Sequence, residues 1–233
     1  MARSSRNPAD KYDRLAGRYD GRWAFYLRAT TEATLQRVDL RRGESLLDDG
    51  RGTGALLDRL AEKRIDATLA GVDPSHEMLA TARSKLPSSV RLARAFAEAL
   101  PFAAETFDVV VSNSAFHYFA NPVRALEEIR RVLKPRGRLV VTDWCDDYLA
   151  CRLCSRWLRW FDPAHTGIFG SNECRELIES AGLTLVEIER YKISWLWGLM
   201  TATATNGARD SEVARSDSGA RPRSLVVQGS ARE

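Results

Sequence analysis

Acidic side chains and glycines lie close together in the stretch from Ser45 to Leu57, which reads SLLDDGRGTGALL. Two carboxylates, Asp48 and Asp49, follow a short apolar run, and three glycines come next at alternate positions: Gly50, Gly52 and Gly54. Glycine lets a backbone turn with positive φ and lets a ligand approach closely, because it has no Cβ. We therefore predict a strand, a ligand-binding turn and a helix start, with an ordinary tight turn as the alternative.

A further carboxylate, Asp73, follows a second apolar strand that we predict from Ala67 to Val72. Asp73 lies 23 positions after Gly50, and an acid at about this distance in a βαβ unit is placed to bind ribose hydroxyls. The glycine spacing differs from the Gly-x-Gly-x-x-Gly fingerprint of dinucleotide-binding proteins, and no Gly-Lys-Ser or Gly-Lys-Thr follows. The pattern therefore excludes the phosphate-binding loop of NTPases.

One histidine, His117, lies just after a predicted fourth strand, Phe107 to Asn113, which is almost continuously apolar. Ligands of open α/β sheets collect beyond the carboxyl ends of the strands, so residues from Ser112 to Tyr118 should border a reaction centre. An imidazole of near-neutral pKa can take a proton from a substrate hydroxyl or an acidic carbon. His117 is therefore a candidate catalytic base, with a structural, hydrogen-bonded histidine as the alternative.

Three further segments extend the pattern, namely LPF at 100–102, FDVVVSNSAFHYF at 107–119 and LKPRGRLVVTDW at 133–144. With the glycine turn and Asp73, they make the chain from about Tyr12 to Thr205 resemble the class I S-adenosylmethionine-dependent methyltransferases. The resemblance is strongest to the small-molecule branch that includes quinone-biosynthesis C-methyltransferases. It implies an α/β fold with a doubly wound, seven-stranded, mostly parallel Rossmann-like sheet and an antiparallel final strand.

The resemblance also implies S-adenosyl-L-methionine as the cofactor and direct displacement of its methyl group by a small, hydrophobic or aromatic acceptor. In that family the glycine turn faces the methionine part of the cofactor, and the acid after the second strand binds the ribose. Residues just beyond that acid, and the segment from Phe96 to Glu98, would border the adenine. The implied cofactor-binding residues are Asp48, Gly50, Gly52, Asp73, Ser75, Met78, Phe96, Ala97, Glu98 and Ser112.

Two residues depart from the family pattern. Phe96 stands where relatives commonly carry an Asp that binds the adenine amino group. Losing one such hydrogen bond weakens affinity by about tenfold, unless Phe96 stacks on the ring or Glu98 takes over the contact. Arg51 stands between the glycines, where relatives usually have a small residue or a cysteine. These changes motivate an alternative function, a catalytically silent methyltransferase-like protein that binds the cofactor or a partner.

Aromatic residues outside the cofactor motifs are candidates for the substrate side. The helical pattern from Lys11 to Val38 carries Tyr12 and Tyr19, which in the resembled family would lie over the cofactor as a lid. An insertion after the fifth strand is where the family builds substrate specificity. We expect it to cover an apolar substrate with Trp157, Phe161, His165 and Phe169. Plain hydrophobic packing is the alternative for all these aromatic residues.

The composition fits one α/β domain, since 233 residues with 44% hydrophobic content can bury a single sizeable core. We predict a disordered leader at 1–10, a methyltransferase domain at 11–205 and a disordered tail at 206–233. The domain contains an N-terminal helical cap at 11–42 and the substrate-cover insertion at 147–170. Beyond the small-molecule substrate, we expect a monomer or homodimer.

The net charge of +4 comes with interleaved acids and no basic stripe, so we expect no nucleic-acid partner. The Asn-Pro-Pro-Tyr tetrad of amino-group methylases is absent at 113–116. No apolar run approaches the roughly 18 residues of a membrane span, and the N-terminus lacks the apolar core of a signal peptide. We therefore expect a cytoplasmic protein whose four cysteines are reduced thiols and which has no metal site, although Cys151 and Cys154 form a C-x-x-C.

Overall fold

The computed structural model describes residues 8–161, 167–194 and 197–207. Within them, seven strands form one sheet in the order β3-β2-β1-β4-β5-β7-β6, in which only β7 runs antiparallel to its neighbours. The strands are β1 (Ser45–Asp49), β2 (Thr68–Asp73), β3 (Arg91–Arg94), β4 (Phe107–Asn113), β5 (Leu133–Trp144), β6 (Thr184–Lys192) and β7 (Gly198–Thr205). This sheet confirms the predicted fold class, with the antiparallel strand inserted between β5 and β6.

Helices cover both faces of the sheet, as the crossover connections between parallel strands require. They are α1 (Pro8–Leu35), α2 (Ala55–Glu62), α3 (His76–Lys85), α4 (Pro122–Val132), α5 (Leu149–Phe161) and α6 (Ser171–Ser180), with a 3₁₀ turn at Phe116–Tyr118. The predicted first helix is shifted three residues towards the N-terminus at both ends, so residues 8–10 of the predicted leader are helical. Residues 1–7 lie outside the described part of the chain.

The core lies on both faces of the central strands. Leu46 and Leu47 of β1 are fully buried, yet they join different hydrophobic clusters, because successive side chains of a strand point to opposite faces. Val109 and Val110 of β4 divide in the same way. Such two-sided burial explains why these strands read as continuous apolar runs.

Local signals in the sequence set several helix boundaries. The side chain of Ser75 accepts a hydrogen bond from the Met78 N–H and caps α3, and the side chain of Asn121 caps α4 in the same way. At the other end of the fold, the Asn206 side chain donates to the Leu133 carbonyl oxygen and binds the end of β7 to the start of β5. The predicted tail from 208 onwards lies outside the described residues.

Helix α1 divides at Trp23, whose backbone is not helical (φ −112°, ψ 17°). The half before Trp23 packs on α3, and the half after it packs on β4 and β5. One element thus reaches from the core of the sheet to the ends of β1 and β2, where the predicted binding loop lies.

Candidate cofactor and active site

A cavity opens at the carboxyl ends of β1, β2 and β4, on either side of the point where the strand order reverses. It contains about 1060 Å³ of empty space, its open mouth included. The cavity brings together most of the predicted residues: Tyr12, Tyr19, Asp48, Gly50, Gly52, Asp73, Ser75, Met78, Phe96, Ala97 and Glu98. A site of this size accommodates a nucleoside-sized ligand with space beside it.

The glycine turn is held tightly against the wall of this cavity. Gly50 has φ +79°, and a Cβ at this position would lie 2.3 Å from the Cβ of Ala115. The Gly50 N–H and the Arg51 N–H both donate to the Val72 carbonyl oxygen, at 3.1 Å each. Glycine is therefore required at position 50 both by backbone conformation and by the close approach of the segment after β4.

Asp73 is 7% exposed at the end of β2 and organises the turn. Its Oδ2 accepts the Gly52 N–H at 2.8 Å, and its Oδ1 accepts the Ser75 N–H at 2.9 Å. Burial raises the pKa of Asp73, although these two amides and the nearby Arg51 favour the ionised form. Each carboxylate oxygen has a second lone pair, so Asp73 can also accept hydrogen bonds from a ligand.

Two neighbouring carboxylates, Asp48 and Asp49, are each 1% exposed and line the cavity. Asp48 Oδ1 and Asp49 Oδ2 have no hydrogen-bond partner among the described residues, whereas buried polar atoms almost always have one. Burial raises the pKa of Asp48 to about 7, and it raises that of Asp49 well above its usual range. A bound cation would satisfy both oxygens and favour ionisation.

The Arg51 side chain is buried in the cavity wall, with 5% of the residue exposed. It lies along Gly71 of β2, where a Cβ would come within 2.3 Å of the Arg51 Cδ. Its Nη1 donates to the Gly52 carbonyl oxygen at 2.9 Å, while Nε and Nη2 have no partner among the described residues. Burial lowers the pKa of Arg51, against the opposing effect of Asp73 and Asp48. The Arg51 side chain is therefore largely shielded from solvent and forms part of the cavity wall.

These atoms fit the methionine part of S-adenosylmethionine, which carries an ammonium and a carboxylate. The orphaned oxygens of Asp48 and Asp49 match the ammonium, and the orphaned nitrogens of Arg51 match the carboxylate. Phe96 is 48% exposed and lines the cavity, so an aromatic base could pack against its ring. From the sequence alone, Arg51 was recognised only as a departure from the family pattern. Its buried position depends on Gly71, which lies 20 positions later, and a contact at that separation leaves no local signal.

Two predicted residues lie behind the cavity wall. Ser112 is fully buried in β4, and His117 is 5% exposed; neither is among the described residues that line the cavity. The His117 Nδ1 is 2.7 Å from Asp143 Oδ1, and the His117 backbone N–H donates to Asp143 Oδ2 at 3.0 Å. The ring packs on Tyr118, at 4.0 Å between centroids, and Tyr118 does line the cavity. The catalytic role of His117 stays a prediction.

The first half of α1 forms one side of the cavity with aromatic rings. Tyr12 packs edge-on against Tyr19 at 5.8 Å and against Tyr118 at 5.3 Å between centroids. Burial raises the pKa of Tyr19 to about 12, so its hydroxyl stays protonated at neutral pH. Both tyrosines thus lie where the lid was expected.

Polar contacts hold this half of α1 in place. The Thr53 hydroxyl donates to Asp20 Oδ1 at 2.6 Å, and Lys85 of α3 pairs with the same carboxylate. The Ser75 hydroxyl donates to Asp13, and this bond is the main cause of the lowered pKa of Asp13. The covering helix is therefore joined to the cofactor loop and to α3.

The second half of α1 contributes an aromatic cluster that the sequence analysis missed. The Tyr26 ring lies 5.7 Å from that of Trp197 and 6.2 Å from that of Trp144. Its hydroxyl donates to Ser114 Oγ at 2.9 Å and accepts the Trp144 Nε1–H. Ser114 lines the cavity, so the cluster supports part of the cavity wall.

The predicted substrate cover is only partly described. Trp157 is 62% exposed on α5 and does not line the cavity, whereas Phe169 packs on Phe116 at 5.1 Å between centroids. Phe161 is the last residue of α5, but its side chain, and all of His165, lie outside the described residues. Their substrate role stays a prediction.

Thiols and metal ligands do not form a second centre in the described part of the chain. Cys145, Cys151 and Cys174 are buried and Cys154 is half-buried, all as free thiols. Burial raises the pKa of Cys145 and of Cys174 to about 12. Among the described residues no group of three His, Cys, Asp or Glu could hold a metal ion, and none of the helices is long and apolar enough to cross a bilayer.

Comparison with known proteins agrees with this geometry. Residues 47–141 match the family model described as a methyltransferase domain. An uncharacterized methyltransferase of Mycobacterium tuberculosis, Rv3342, is 43% identical over 94 residues, which are 40% of this chain and 37% of that protein. The demethylmenaquinone methyltransferase of Thermus thermophilus is 38% identical over 128 residues, 54% of this chain and 55% of that one. The chain thus spans less than two thirds of either relative.

Among solved structures, a SAM-dependent methyltransferase of Thermotoga maritima superposes with a TM-score of 0.70 at 23% identity. The match covers 85% of this chain and 99% of that one. At this identity the likeness establishes the shared fold, a Rossmann-like sheet with its crevice at the carboxyl ends of the strands.

Proposed function

We propose that this chain is an S-adenosylmethionine-dependent methyltransferase that transfers a methyl group from that cofactor to a small hydrophobic or aromatic acceptor. The observation that carries the proposal is the group of buried, unpartnered atoms on Asp48, Asp49 and Arg51 beside the glycine turn. These atoms have no hydrogen-bond partner among the described residues, and the amino-acid end of the cofactor would pair with all three side chains. When bound, the cofactor supplies an electrophilic methyl group for direct displacement.

The residues of the cavity would hold the cofactor at three places. Asp48 and Asp49 bind its ammonium, Arg51 binds its carboxylate, and Asp73 accepts hydrogen bonds from the ribose hydroxyls. Phe96 packs on the adenine and replaces, by ring contact, part of the affinity that the usual carboxylate would provide. Glu98 accepts the Asn121 N–H at 3.0 Å, so it also fixes the loop that faces the base.

The rest of the cavity suits an apolar acceptor. Tyr12, Tyr19 and Phe119 line it together with Leu27, and its remaining polar groups include Asn113 and Ser114. Apolar walls exclude water and orient an aromatic acceptor, and orientation is the main requirement of methyl transfer. The quinone-ring chemistry in the name of the Thermus relative is consistent with such an acceptor.

His117 is the candidate for accepting a proton from the acceptor. The contact between His117 Nδ1 and Asp143 Oδ1 orients the imidazole, as a carboxylate commonly does for a general base. His117→Asn should lower the methyl-transfer rate without changing the affinity for S-adenosylhomocysteine, because His117 does not line the cavity that would hold the cofactor. An equal loss of methyl-transfer rate and of affinity for S-adenosylhomocysteine would show that His117 instead maintains the structure of the site.

Calorimetric titration with S-adenosylmethionine and with its demethylated product, S-adenosylhomocysteine, tests the proposal. Micromolar binding of both, followed by methyl transfer to a naphthoquinol or a phenol, is the expected outcome. Asp73→Asn should weaken both ligands, whereas the matched exposed variant Asp66→Asn should leave both unchanged. If the protein is folded and binds neither ligand, the proposed enzymatic function is refuted.

The alternative, a silent methyltransferase-like binding protein, rests on the buried cation at Arg51. An arginine that repels the positively charged sulfonium would weaken S-adenosylmethionine more than the uncharged thioether product. Arg51→Cys distinguishes the two roles: if Arg51 binds the cofactor carboxylate, affinity falls for both ligands, about 10-fold or more. If it repels the sulfonium, affinity for S-adenosylmethionine rises selectively.

A further inference from the structure

Helix α5 presents three large apolar side chains to solvent. Leu149, Leu153 and Trp157 are 68%, 56% and 62% exposed, whereas such residues are usually buried. They are spaced four residues apart, so they form one stripe along the helix. In a chain of this size, a continuous exposed apolar stripe of this kind indicates an interaction surface.

The opposite side of α5 is properly packed, which fixes the direction in which the stripe points. Cys151 is 1% exposed and accepts the Gly198 N–H at 3.0 Å, and Ser155, one turn later, is 3% exposed. Residues two positions apart differ by about 200° around a helix, so the buried pair lies opposite the stripe. The three apolar side chains are therefore exposed although the opposite side of α5 is packed against the rest of the protein.

Arginines border the stripe. Arg152 and Arg156 are exposed, lie one residue before Leu153 and Trp157, and line a small polar cleft with Ser155. The helix from 149 to 161 contains a further arginine in its sequence and no Asp or Glu. One acid reaches the cleft: Asp146 pairs with Arg152 at 3.4 Å. The surface is thus apolar along its centre and basic along one edge.

We propose that α5 is an amphipathic docking helix for a lipid surface with anionic headgroups. The stripe enters the boundary between headgroups and acyl chains, and Arg152 and Arg156 contact lipid phosphates. Leucine and tryptophan beside arginine are the residues that favour this boundary. A helix whose three apolar side chains are more than half exposed offers no groove for a peptide, which favours a lipid surface over an acidic protein.

The position of α5 in the fold relates this membrane contact to the cavity. The helix follows β5, whose carboxyl end lies at the same edge of the sheet as the cavity. Docking through α5 would therefore bring the cavity edge towards the membrane, where apolar acceptors are dissolved. The docking itself needs neither cofactor nor catalysis, so it goes beyond the proposed function and can be tested without it.

Sedimentation with vesicles tests the proposal on the full chain. Vesicles of phosphatidylcholine alone are compared with vesicles of equal parts phosphatidylcholine and phosphatidylglycerol, at low and high salt. We expect binding to the anionic vesicles that weakens with salt. The pair Leu153→Gln with Trp157→Gln, and separately the pair Arg152→Gln with Arg156→Gln, should each reduce the partition coefficient about tenfold or more.

Matched controls lie on other helices: Val123→Gln on α4 for the apolar stripe, and Arg59→Gln on α2 for the arginines. Thermal unfolding and S-adenosylhomocysteine titration, which these surface changes should not alter, establish that each variant is folded. Wild-type protein that stays in the supernatant with anionic vesicles overturns the proposal, even if an acidic protein binds the same face. Binding that both paired variants retain, or that the controls lose equally, overturns it as well.

Discussion

Replacing Asp48 by asparagine should reduce the pH dependence of cofactor binding, because the carboxyl of Asp48 must lose a proton before it can bind the ammonium. Burial raises the pKa of Asp48 to about 7, and its Oδ1 has no partner among the described residues. The ammonium of the ligand favours the ionised carboxylate, so binding must first remove the proton wherever the free protein holds one. The contribution of Asp48 to affinity should therefore fall as the solution becomes more acidic through that pKa, and the raised pKa of Asp49 adds to the same dependence.

The size of the effect follows from the raised pKa. About one pH unit below that value only about a tenth of Asp48 is ionised, so the apparent affinity falls about tenfold, and it continues to fall about tenfold for each further unit. At neutral pH and above, Asp48→Asn removes a charge-assisted hydrogen bond to the ammonium. Such a bond is worth about 1.5–3 kcal/mol, which corresponds to about 10- to 150-fold in affinity.

Calorimetry with S-adenosylhomocysteine, which has the same amino-acid end and cannot react, measures both quantities. Titrations between about pH 5.5 and about pH 8, in buffers of different ionisation enthalpy, report the affinity and the proton released together. The wild type should release protons on the acidic side, and Asp48→Asn should release fewer, with Asp49 as the remaining source. A flat wild-type profile, or the same slope in Asp48→Asn, would refute the assignment of Asp48 to the ammonium.

Three further variants test the framework of the site. Gly50→Ala should lower the free energy of unfolding by more than about 2 kcal/mol and weaken the binding of S-adenosylhomocysteine. The alanine would combine left-handed backbone strain with the 2.3 Å approach to the Ala115 Cβ. Urea denaturation measures the first effect and calorimetric titration the second. Tyr26→Phe loses the hydrogen bond from Trp144 and should cost about 1–3 kcal/mol in urea denaturation, with little change if the hydroxyl is unimportant. Glu128→Gln should cost about 1–2 kcal/mol at neutral pH, because an arginine hydrogen bond lowers the pKa of Glu128. That stabilisation is present above the unfolded-state pKa and is lost as the pH falls through the folded-state pKa, so the difference from wild type in thermal melts should shrink in acid.

The cofactor side of the site was predictable because its determinants are local. Gly50 and Asp73 each follow a strand whose apolar run is visible in the sequence, and parallel strands bring their carboxyl ends to one edge. Backbone conformation and strand order then place the two residues together. The position of Tyr12 and Tyr19 beside the cavity was predictable from their helical spacing, whereas their lid role stays a prediction.

Contacts between distant elements were not predictable from one sequence. The burial of Arg51 depends on Gly71, and the orientation of His117 depends on Asp143, each from a different strand. Neither pairing leaves a local signal, because the spacing within one element says nothing about side chains from another. Periodicity also could not say which side of α5 faces the fold, so Trp157 was assigned to a substrate cover although it is largely exposed.

The contact between Arg51 and Gly71 restricts the order in which the two positions can change. An alanine at 71 would meet the Arg51 Cδ at 2.3 Å and the Leu57 Cδ1 at 2.7 Å, so the arginine can occupy its place only where position 71 lacks a Cβ. In a lineage leading to this chain, the glycine must therefore come first and the arginine second. Once the arginine is present, reversion at 71 is blocked, and the two residues persist or disappear as an epistatic pair.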